Sequence, residues 1–292
     1  MVGIGTIGSL SGCFQLPAVG SGDGPAFTKW LHTPGEFDDD LEHSGVDVIK
    51  PARVISNDDL FSDNVVERVD GMFDDQLAPT GLDTGALDWL AATNVTTVLS
   101  GSYDESTVNA TLENNDFEEE SEVGGYTVFA DVIEEQAFAV GSDAIVRGEW
   151  VSESATALDV TKEALAVRNG DEPRYTEKRD TMDVLLGALD DGFQISAATF
   201  SAYQGDDAEV GWFEDSVGKG FSQSLSGDTS TFKHVAVYED EGAVDTDDLE
   251  EWYEAVEESG GEFATLDDVD CFSSGRTAIL EGTVDPSDFG LF

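Results

Sequence analysis

The strongest constraint on this 292-residue chain is its charge, because 63 acidic residues accompany only 13 basic ones and leave a formal net charge of −50. A chain this charged is expected to stay unfolded when it is also poor in aromatic and branched side chains. Here 40% of the residues are hydrophobic and 10% are aromatic. We therefore expect a globular protein whose acidic side chains lie at the surface and repel one another.

Salt weakens that repulsion, since the Debye length falls to about 3 Å at 1 M ionic strength. The chain contains six lysines and is rich in Asp, Glu, Thr and Val. This composition resembles that of proteins from extremely halophilic archaea. The resemblance implies a fold that weakens as salt is removed.

The N-terminal stretch "VGIGTIGSLSGC" (2–13) allows two interpretations. Its glycines match the G-x-G-x-x-G of a dinucleotide-binding loop, but only two residues precede Gly3, and Pro17 falls where the following helix should lengthen. The apolar run that ends in Leu10-Ser11-Gly12-Cys13 instead resembles the lipobox of secreted lipoproteins. That resemblance implies cleavage before Cys13, attachment of a lipid to its thiol, and a position on the outer face of the cell membrane.

The same stretch lacks a basic n-region and a twin arginine, so a frayed glycine-rich terminus with an incidental cysteine stays as an alternative. Two Asn-x-Thr triplets, at Asn94 and Asn109, are N-glycosylation acceptors in an exported protein. Together, the lipobox-like start and the acidic composition resemble the uncharacterised secreted lipoproteins of haloarchaea. The resemblance implies export and anchoring, and it implies no reaction.

A weak internal duplication suggests how the chain is divided. The strand-like stretch "VDVIKPARVI" (46–55) corresponds to "GFQISAATF" (192–200), and 95–115 corresponds to 232–259 as a strand, an acidic turn and a helix. Glycine pairs, Gly124-Gly125 and Gly260-Gly261, then precede strand-rich tails. The predicted units are a truncated signal-like segment (1–12), a tether (13–26), a first α+β module (27–151), a helical connector (152–191) and a second α+β module (192–292).

Apolar spacing predicts the main helices. In the connector, "SATALDVTKEALAVRNG" reads as a helix closed by Gly170, and a second helix carries apolar residues at helical spacing from Met182 to Leu189, with Thr176 as its cap. In the second module, an apolar stripe from Leu249 to Val256 predicts an acidic helix capped by Asp245 or Thr246. The two connector helices predict a helical hairpin.

The predicted fold class is α+β. Short, turn-bounded strands follow each helix consecutively, which favours mostly antiparallel or mixed sheets with helices on one face. A doubly wound parallel sheet is the alternative.

No motif for catalysis or metal binding stands out. The chain lacks the G-x-S-x-G of a serine hydrolase, and the histidines (His32, His43 and His234) lack zinc-finger spacing. We interpret His234 as a strand residue, the alternating Ser222, Ser224 and Ser226 as a polar strand face or a loop, and the acidic runs as solvated surface. Cys271 is interpreted as a small hydrophobic residue in a strand. The scarce arginines are expected to form structural ion pairs; they include Arg147, Arg168, Arg174 and Arg276.

These observations limit the partners. A nucleic acid is not expected, because no Lys/Arg cluster is present to displace its counterions. No apolar run is long enough to span a bilayer, so membrane attachment would depend on Cys13. We predict no cofactor, no metal and no catalytic residue.

Three functions remain open. The first is a non-catalytic surface protein that binds a solute, polymer or protein partner in a groove between the modules. The others are an extracytoplasmic hydrolase that uses carboxylates or a metal, and a structural or assembly subunit of the cell envelope.

Overall fold

The computed structural model describes residues 25–33, 44–133, 135–152, 155–205, 207–260 and 264–288. In these ranges, helices of the α class occupy eight segments and strands occupy twelve. The helices are α1 (Pro51–Ile55), α2 (Asp63–Gly71), α3 (Asp74–Leu77), α4 (Glu105–Asn114), α5 (Ala157–Asn169), α6 (Tyr175–Lys178), α7 (Asp180–Ala188) and α8 (Asp247–Ser259). The strands are β1 (Ser44–Ile49), β2 (Leu87–Thr93), β3 (Thr96–Gly101), β4 (Glu118–Val123), β5 (Tyr126–Ala130), β6 (Gln136–Val140), β7 (Ile145–Glu149), β8 (Gln194–Thr199), β9 (Ser216–Ser226), β10 (Thr229–Tyr238), β11 (Asp267–Ser274) and β12 (Thr277–Val284).

All twelve strands belong to one sheet, in the order β11-β12-β10-β9-β8-β1-β2-β3-β7-β6-β5-β4. Each neighbouring pair is antiparallel. The α+β class with an antiparallel sheet is therefore confirmed. The strands of the first predicted module fill one side of the sheet and those of the second fill the other side, and the β1–β8 ladder joins them.

Both faces of the sheet carry helices, whereas one covered face was expected. Successive strand residues point to opposite faces, and β1 shows the consequence: Val48 packs in the cluster that contains α7, while Ile49 packs in the cluster that contains α2. We call these face A and face B. Because apolar side chains leave the strands on both sides, both sides need a helical cover.

The helices that pack on the sheet differ between its two halves. On face A, α5 packs on the first module and α7 on the strands near the β1–β8 ladder. On face B, α1, α2 and α4 pack on the first module, and α8 packs on β10 and β12 through Leu249 and Trp252. The connector helices therefore lie on the sheet, each over its own set of strands.

Local signals place the predicted helix ends well in two cases. Helix α5 begins with a capping box between Thr156 and Asp159, and it ends at Gly170, whose φ of 80° favours glycine. Helix α8 follows Asp245, whose carboxylate accepts the N–H of Asp247 at 2.9 Å. Side-chain and backbone chemistry within one turn fixes such ends, so they can be read locally.

Three local predictions were wrong. Residues 51–55 form helix α1 and not a strand, because Pro51 at the first helical position is preorganised for a helix. Thr176 lies inside α6 and does not cap α7, which begins at Asp180. Gly124-Gly125 forms the β4–β5 turn with positive φ at both residues, whereas Gly260 ends α8, so the two glycine pairs are not equivalent.

Within the described part of the chain, we find no helix that is both long enough and apolar enough to cross a bilayer.

Candidate functional site

A groove lies on face B where the two modules meet. Its floor is formed by the central strands β1, β2, β8 and β9, and it encloses about 300 Å³. The helices of face B pack on either side of this region, α1 to α4 toward the first module and α8 toward the second. The groove is therefore a gap in the helical cover above the β1–β8 ladder.

The walls of the groove are mostly apolar. Met72 and Phe73, at the junction of α2 and α3, form one side, and Leu90 of β2 forms part of the floor. Phe221 of β9 lines the groove as well, and its ring stacks on Phe232 with centroids 6.1 Å apart. Since Phe232 is buried beneath α8, this contact ties the groove wall to the core of the second module.

Three polar side chains interrupt the apolar floor. Asp47 of β1 and Ser196 of β8 face the groove and lie directly opposite each other in the ladder, and Gln194 precedes Ser196 on the same face. Asp47 is exposed and Gln194 is buried. The arrangement offers a carboxylate, a hydroxyl and an amide along one line of an otherwise apolar surface, which is typical of small-molecule sites.

A buried amide lies beside this line. Gln223 of β9 pairs with Gln194 across the sheet and is fully buried. Its side-chain oxygen and nitrogen have no hydrogen-bond partner among the described residues. Burial of an unsatisfied polar group costs about 1–3 kcal/mol, so this residue is a costly choice for a purely structural position.

His234 lies in β10, as predicted, and does not pair with the nearby serines. Ser222 is the cross-strand partner of Lys233, so its side chain and that of His234 project to opposite faces. The imidazole instead meets the ring of Trp252 edge-on at 4.4 Å. Burial, with the charge of Lys219 as a smaller contribution, lowers the pKa of His234 to about 3. A neutral core histidine is the result.

The predicted structural ion pairs are present for three of the four arginines, Arg147, Arg168 and Arg276. At the β6–β7 turn, the carboxylate of Asp143 pairs with Arg168 at 3.0 Å and with Lys29 at 3.1 Å, and it accepts the hydroxyl proton of Tyr126. Burial opposes ionisation of Asp143, but these three partners outweigh it and lower its pKa to about 2. The contacts tie the 3₁₀ turn Ala26–Trp30, the end of α5 and the first module together.

Other arginines also contact carboxylates or backbone carbonyls. Arg147 pairs with Glu149 at 3.1 Å, and Arg276 pairs with Asp180 at 3.2 Å while it donates to the carbonyl of Tyr238. The contact found for Arg174 comes from its backbone, whose N–H donates to Glu177 at 3.1 Å, so the ion pair predicted for its side chain stays a prediction. None of these contacts brings the guanidinium groups together at the groove.

The residues predicted for lipidation and glycosylation fall in different places. Cys13 lies outside the described residues, as does His43. Asn94 is exposed in the β2–β3 turn, where its Oδ1 accepts the N–H of Gly45 at 3.3 Å. Asn109 is half-buried on α4. Of the two acceptors, Asn94 is the more accessible in the folded chain.

Cys271 lies in β11, and its side chain packs at the margin of the cluster beneath α8. Burial, together with the nearby carboxylates of Glu250 and Asp270, raises the pKa of its thiol to about 11. The thiolate needed for nucleophilic chemistry is therefore scarce at neutral pH.

The described acidic residues form surface clusters. One follows the outer side of α8 and comprises Glu209, Asp247, Glu250, Glu251, Glu254 and Glu258. No group of three or more His, Cys, Asp or Glu side chains within the described ranges has the geometry of a metal site. These clusters behave as solvated surface.

The groove residues themselves were not identified from sequence. Asp47 and Ser196 are polar positions within otherwise apolar strands, "SGVDVI" and "QISAAT", and such interruptions are the one local signal they carry. That they face each other depends on the β1–β8 register, which no local pattern specifies.

Comparison with known proteins gives limited similarity. No protein family model matches the chain, and no curated protein matches it. Among solved structures, the chain is similar to crystal forms III, I and IV of TP0453, a spirochete protein. The identities are 9%, 10% and 11% and the TM-scores are 0.45, 0.42 and 0.44, over 84%, 84% and 83% of this chain and 91%, 90% and 89% of the TP0453 chains.

Proposed function

We propose that this protein is exported, is held at the outer face of the cell membrane by a lipid on Cys13, and binds an apolar small molecule non-catalytically in the central groove. The observation that carries the binding role is the groove itself, an apolar site of about 300 Å³ at the junction of the modules. Anchoring is supported by the lipobox-like sequence before Cys13.

The chemistry of the groove defines the ligand class. Apolar contacts with Met72, Phe73 and Phe221 favour a hydrocarbon or aromatic body, since burial of apolar surface contributes about 25 cal/mol per Å². The exposed carboxylate of Asp47 accepts hydrogen bonds and favours a cationic or hydroxyl-bearing end. A small amphiphile with an amine or alcohol group fits both requirements.

A neutral fluorescent probe, N-phenyl-1-naphthylamine, tests the groove in high-KCl buffer. We expect saturable fluorescence enhancement with the wild-type protein and a loss of at least tenfold in affinity for Ser196→Leu, which fills the groove. Ala198→Leu is the matched control, because Ala198 lies two residues further along β8 on the same face and does not line the groove. Equal probe affinity for both variants would show that the groove is not the site.

Two competitors test the role of Asp47. Octylamine and octanol are both expected to displace the probe from the wild-type protein, and Asp47→Asn should weaken octylamine about tenfold while it leaves octanol unchanged. If Asp47→Asn affects neither competitor, the carboxylate does not select the ligand.

The anchoring part of the proposal has a separate test. Mass spectrometry of the protein purified from its native membrane should find a mature chain that begins at Cys13 and carries a lipid mass. Native protein with residues 1–12 intact and an unmodified thiol would contradict it.

A further inference from the structure

The hairpin between β5 and β6 carries large apolar side chains that are exposed to water. Val132 and Ile133, in its turn, are 79% and 67% exposed, and Trp150, just after β7, is 51% exposed. These are three of the four exposed large hydrophobic residues in the described part of the chain; the fourth is Phe272, at 38% on edge strand β11.

Hydrogen bonds order this end of the sheet. The carboxylate of Asp131 accepts the N–H of Glu135 at 2.8 Å, and the backbone N–H of Asp131 donates to Gln136 across the hairpin. The N–H of Trp150 donates to the carbonyl of Glu135 at 3.2 Å. The turn and Trp150 therefore lie at the same end of the same strands. We call Val132, Ile133 and Trp150 the apolar tip.

The composition of the tip is unusual for its position. Turns favour Gly, Asn, Asp and Ser, because these residues tolerate positive φ or hydrogen-bond the turn backbone with their side chains. In a protein with a net charge of −50, aliphatic residues at a turn expose apolar surface that a polar residue would avoid. The largest exposed apolar patch of a folded monomer typically covers a few hundred Å² and is often functional, as a contact with a partner or a membrane.

The exposed area of the tip favours a lipid surface over a protein partner. At the fractions above, the three side chains expose roughly 300–400 Å², whereas a stable protein interface buries about 800 Å² on each partner. A lipid surface needs no matched area, because the strength of interfacial binding scales with whatever apolar area is buried. Trp is also the side chain most characteristic of the membrane–water interface.

We propose that the apolar tip inserts into the interfacial region of the membrane that carries the lipid anchor. This rests on the proposed function, since the anchor brings the tip to the surface. The anchor at Cys13 precedes the first described residue, Pro25, by twelve residues, and a stretch of that number spans at most about 40 Å. Anchored protein is therefore held close to the bilayer surface.

A second contact has a physical purpose. An anchor at Cys13 would hold only one end of the chain, and apolar side chains that insert elsewhere add binding strength in proportion to the apolar area they bury. The tip supplies this further contact without a Lys/Arg cluster, which this chain lacks. Because Asp131, Glu135 and Glu149 are close to the tip in sequence, insertion into a membrane with anionic headgroups requires that salt screen the repulsion between those headgroups and the carboxylates.

The test uses the full chain with Cys13→Ser, so that no lipid contributes. Its partitioning into zwitterionic phosphatidylcholine vesicles is measured in high KCl, with and without bromine atoms on the acyl chains. We expect partitioning and quenching of Trp150, the most exposed of the five tryptophans. The double variant Val132→Ser, Ile133→Ser should lower the partition coefficient about tenfold or more, and Trp150→Phe should remove most of the quenching.

The matched control is Phe272→Ser, which removes an exposed apolar side chain at a remote edge and should leave partitioning unchanged. Equal partitioning of the tip variant and the Phe272→Ser variant would overturn the proposal. So would concentration-dependent dimers that the tip variant abolishes without vesicle binding, since the occupant would then be a second copy. Failure of lipid attachment at Cys13 appears instead in the mass spectrum of native protein, so the two failures are distinguishable.

Discussion

Val48 of β1 lies directly opposite Ile195 of β8, and both side chains are buried against α7 on face A. Among the described strands, the ladder that contains this pair is the only pairing between the first and second modules. The strands then run outward from the ladder in the same sequence on each side, β1-β2-β3 and β8-β9-β10. One contact row therefore joins the two halves and also supports the floor of the groove.

Truncation of a buried side chain in this contact row should destabilise the whole protein. Ile195→Ala removes buried methylene groups, and such changes cost about 2–5 kcal/mol. We expect one cooperative unfolding transition, shifted equally when it is followed by fluorescence and by circular dichroism in high KCl. Ala198→Gly, on the less buried face of the same strand, should have a smaller effect. Two separate transitions, with only one of them shifted, would show that the modules unfold independently.

Salt should stabilise the fold. Because the net charge is −50, screening lowers the repulsion between surface carboxylates, and the melting temperature is expected to rise from low to multimolar KCl. Equal midpoints would contradict this.

The clustered carboxylates on the acidic side of α8 should contribute more to the salt dependence of folding than an equal number of dispersed carboxylates. The triple variant Glu251→Gln, Glu254→Gln, Glu258→Gln removes three charges from one cluster and is expected to lower the salt concentration needed for folding. A control with three dispersed substitutions, Glu67→Gln, Glu113→Gln and Glu172→Gln, removes the same charge. The melting curves should separate the two variants, because close charges repel more strongly. Coincident curves would indicate that only net charge matters.

Local sequence signals predicted the elements better than their arrangement. Helices α5 and α8 could be located because capping residues and apolar spacing act within a few turns of chain, as at Thr156 and Gly170. The helical state of 51–55 was missed because its apolar residues suit a strand equally well, and Pro51 decides the outcome. The antiparallel sheet could be predicted because short strands follow one another along the chain.

The groove could not be predicted in the same way. A groove between the modules was expected, but Asp47, Ser196 and Phe221 come together only through the β1–β8 and β8–β9 registers. Register depends on packing across the whole sheet, and a shift of one residue would turn Asp47 away from the groove. The cover on face B is equally non-local, since α2 and α8 reach it from opposite ends of the chain.

Asp143 should be the most important carboxylate of the first module. Asp143→Ala removes its contacts with Lys29, Arg168 and Tyr126, and because the site is partly exposed we expect a loss of about 1–2 kcal/mol in the free energy of unfolding. Glu149→Ala breaks one exposed pair with Arg147 and should cost less than about 0.5 kcal/mol. Denaturant titration in the same buffer compares them. Equal losses would mean that the contacts of Asp143 do not act together.

Replacement of the buried amide should stabilise the protein. Gln223→Met keeps the volume and removes two polar atoms that have no partner among the described residues, so the free energy of unfolding is expected to rise by about 1 kcal/mol. Gln204→Met, at an exposed position, is the control and should change little. Thermal melts in high KCl measure both. A destabilised Gln223→Met would show that the amide has a structural partner.

The free energy of unfolding should decrease as the pH falls, because His234 is buried and neutral in the folded protein. The unfolded histidine binds a proton below about pH 6.5, while the folded one, whose pKa is lowered to about 3, does not. The unfolded state therefore binds more protons between these values, and folding stability decreases as the pH falls, by about 1.4 kcal/mol per unit at most.

The variant His234→Phe isolates this contribution. Phe keeps a ring against Trp252 and cannot be protonated, so the wild-type protein should lose about 2–3 kcal/mol more than the variant between pH 7 and pH 4.5. Since both proteins share every carboxylate and the other histidines, the difference between their unfolding free energies cancels those contributions. Parallel pH profiles would show that His234 titrates normally, and the buried neutral state assigned to it would then be wrong.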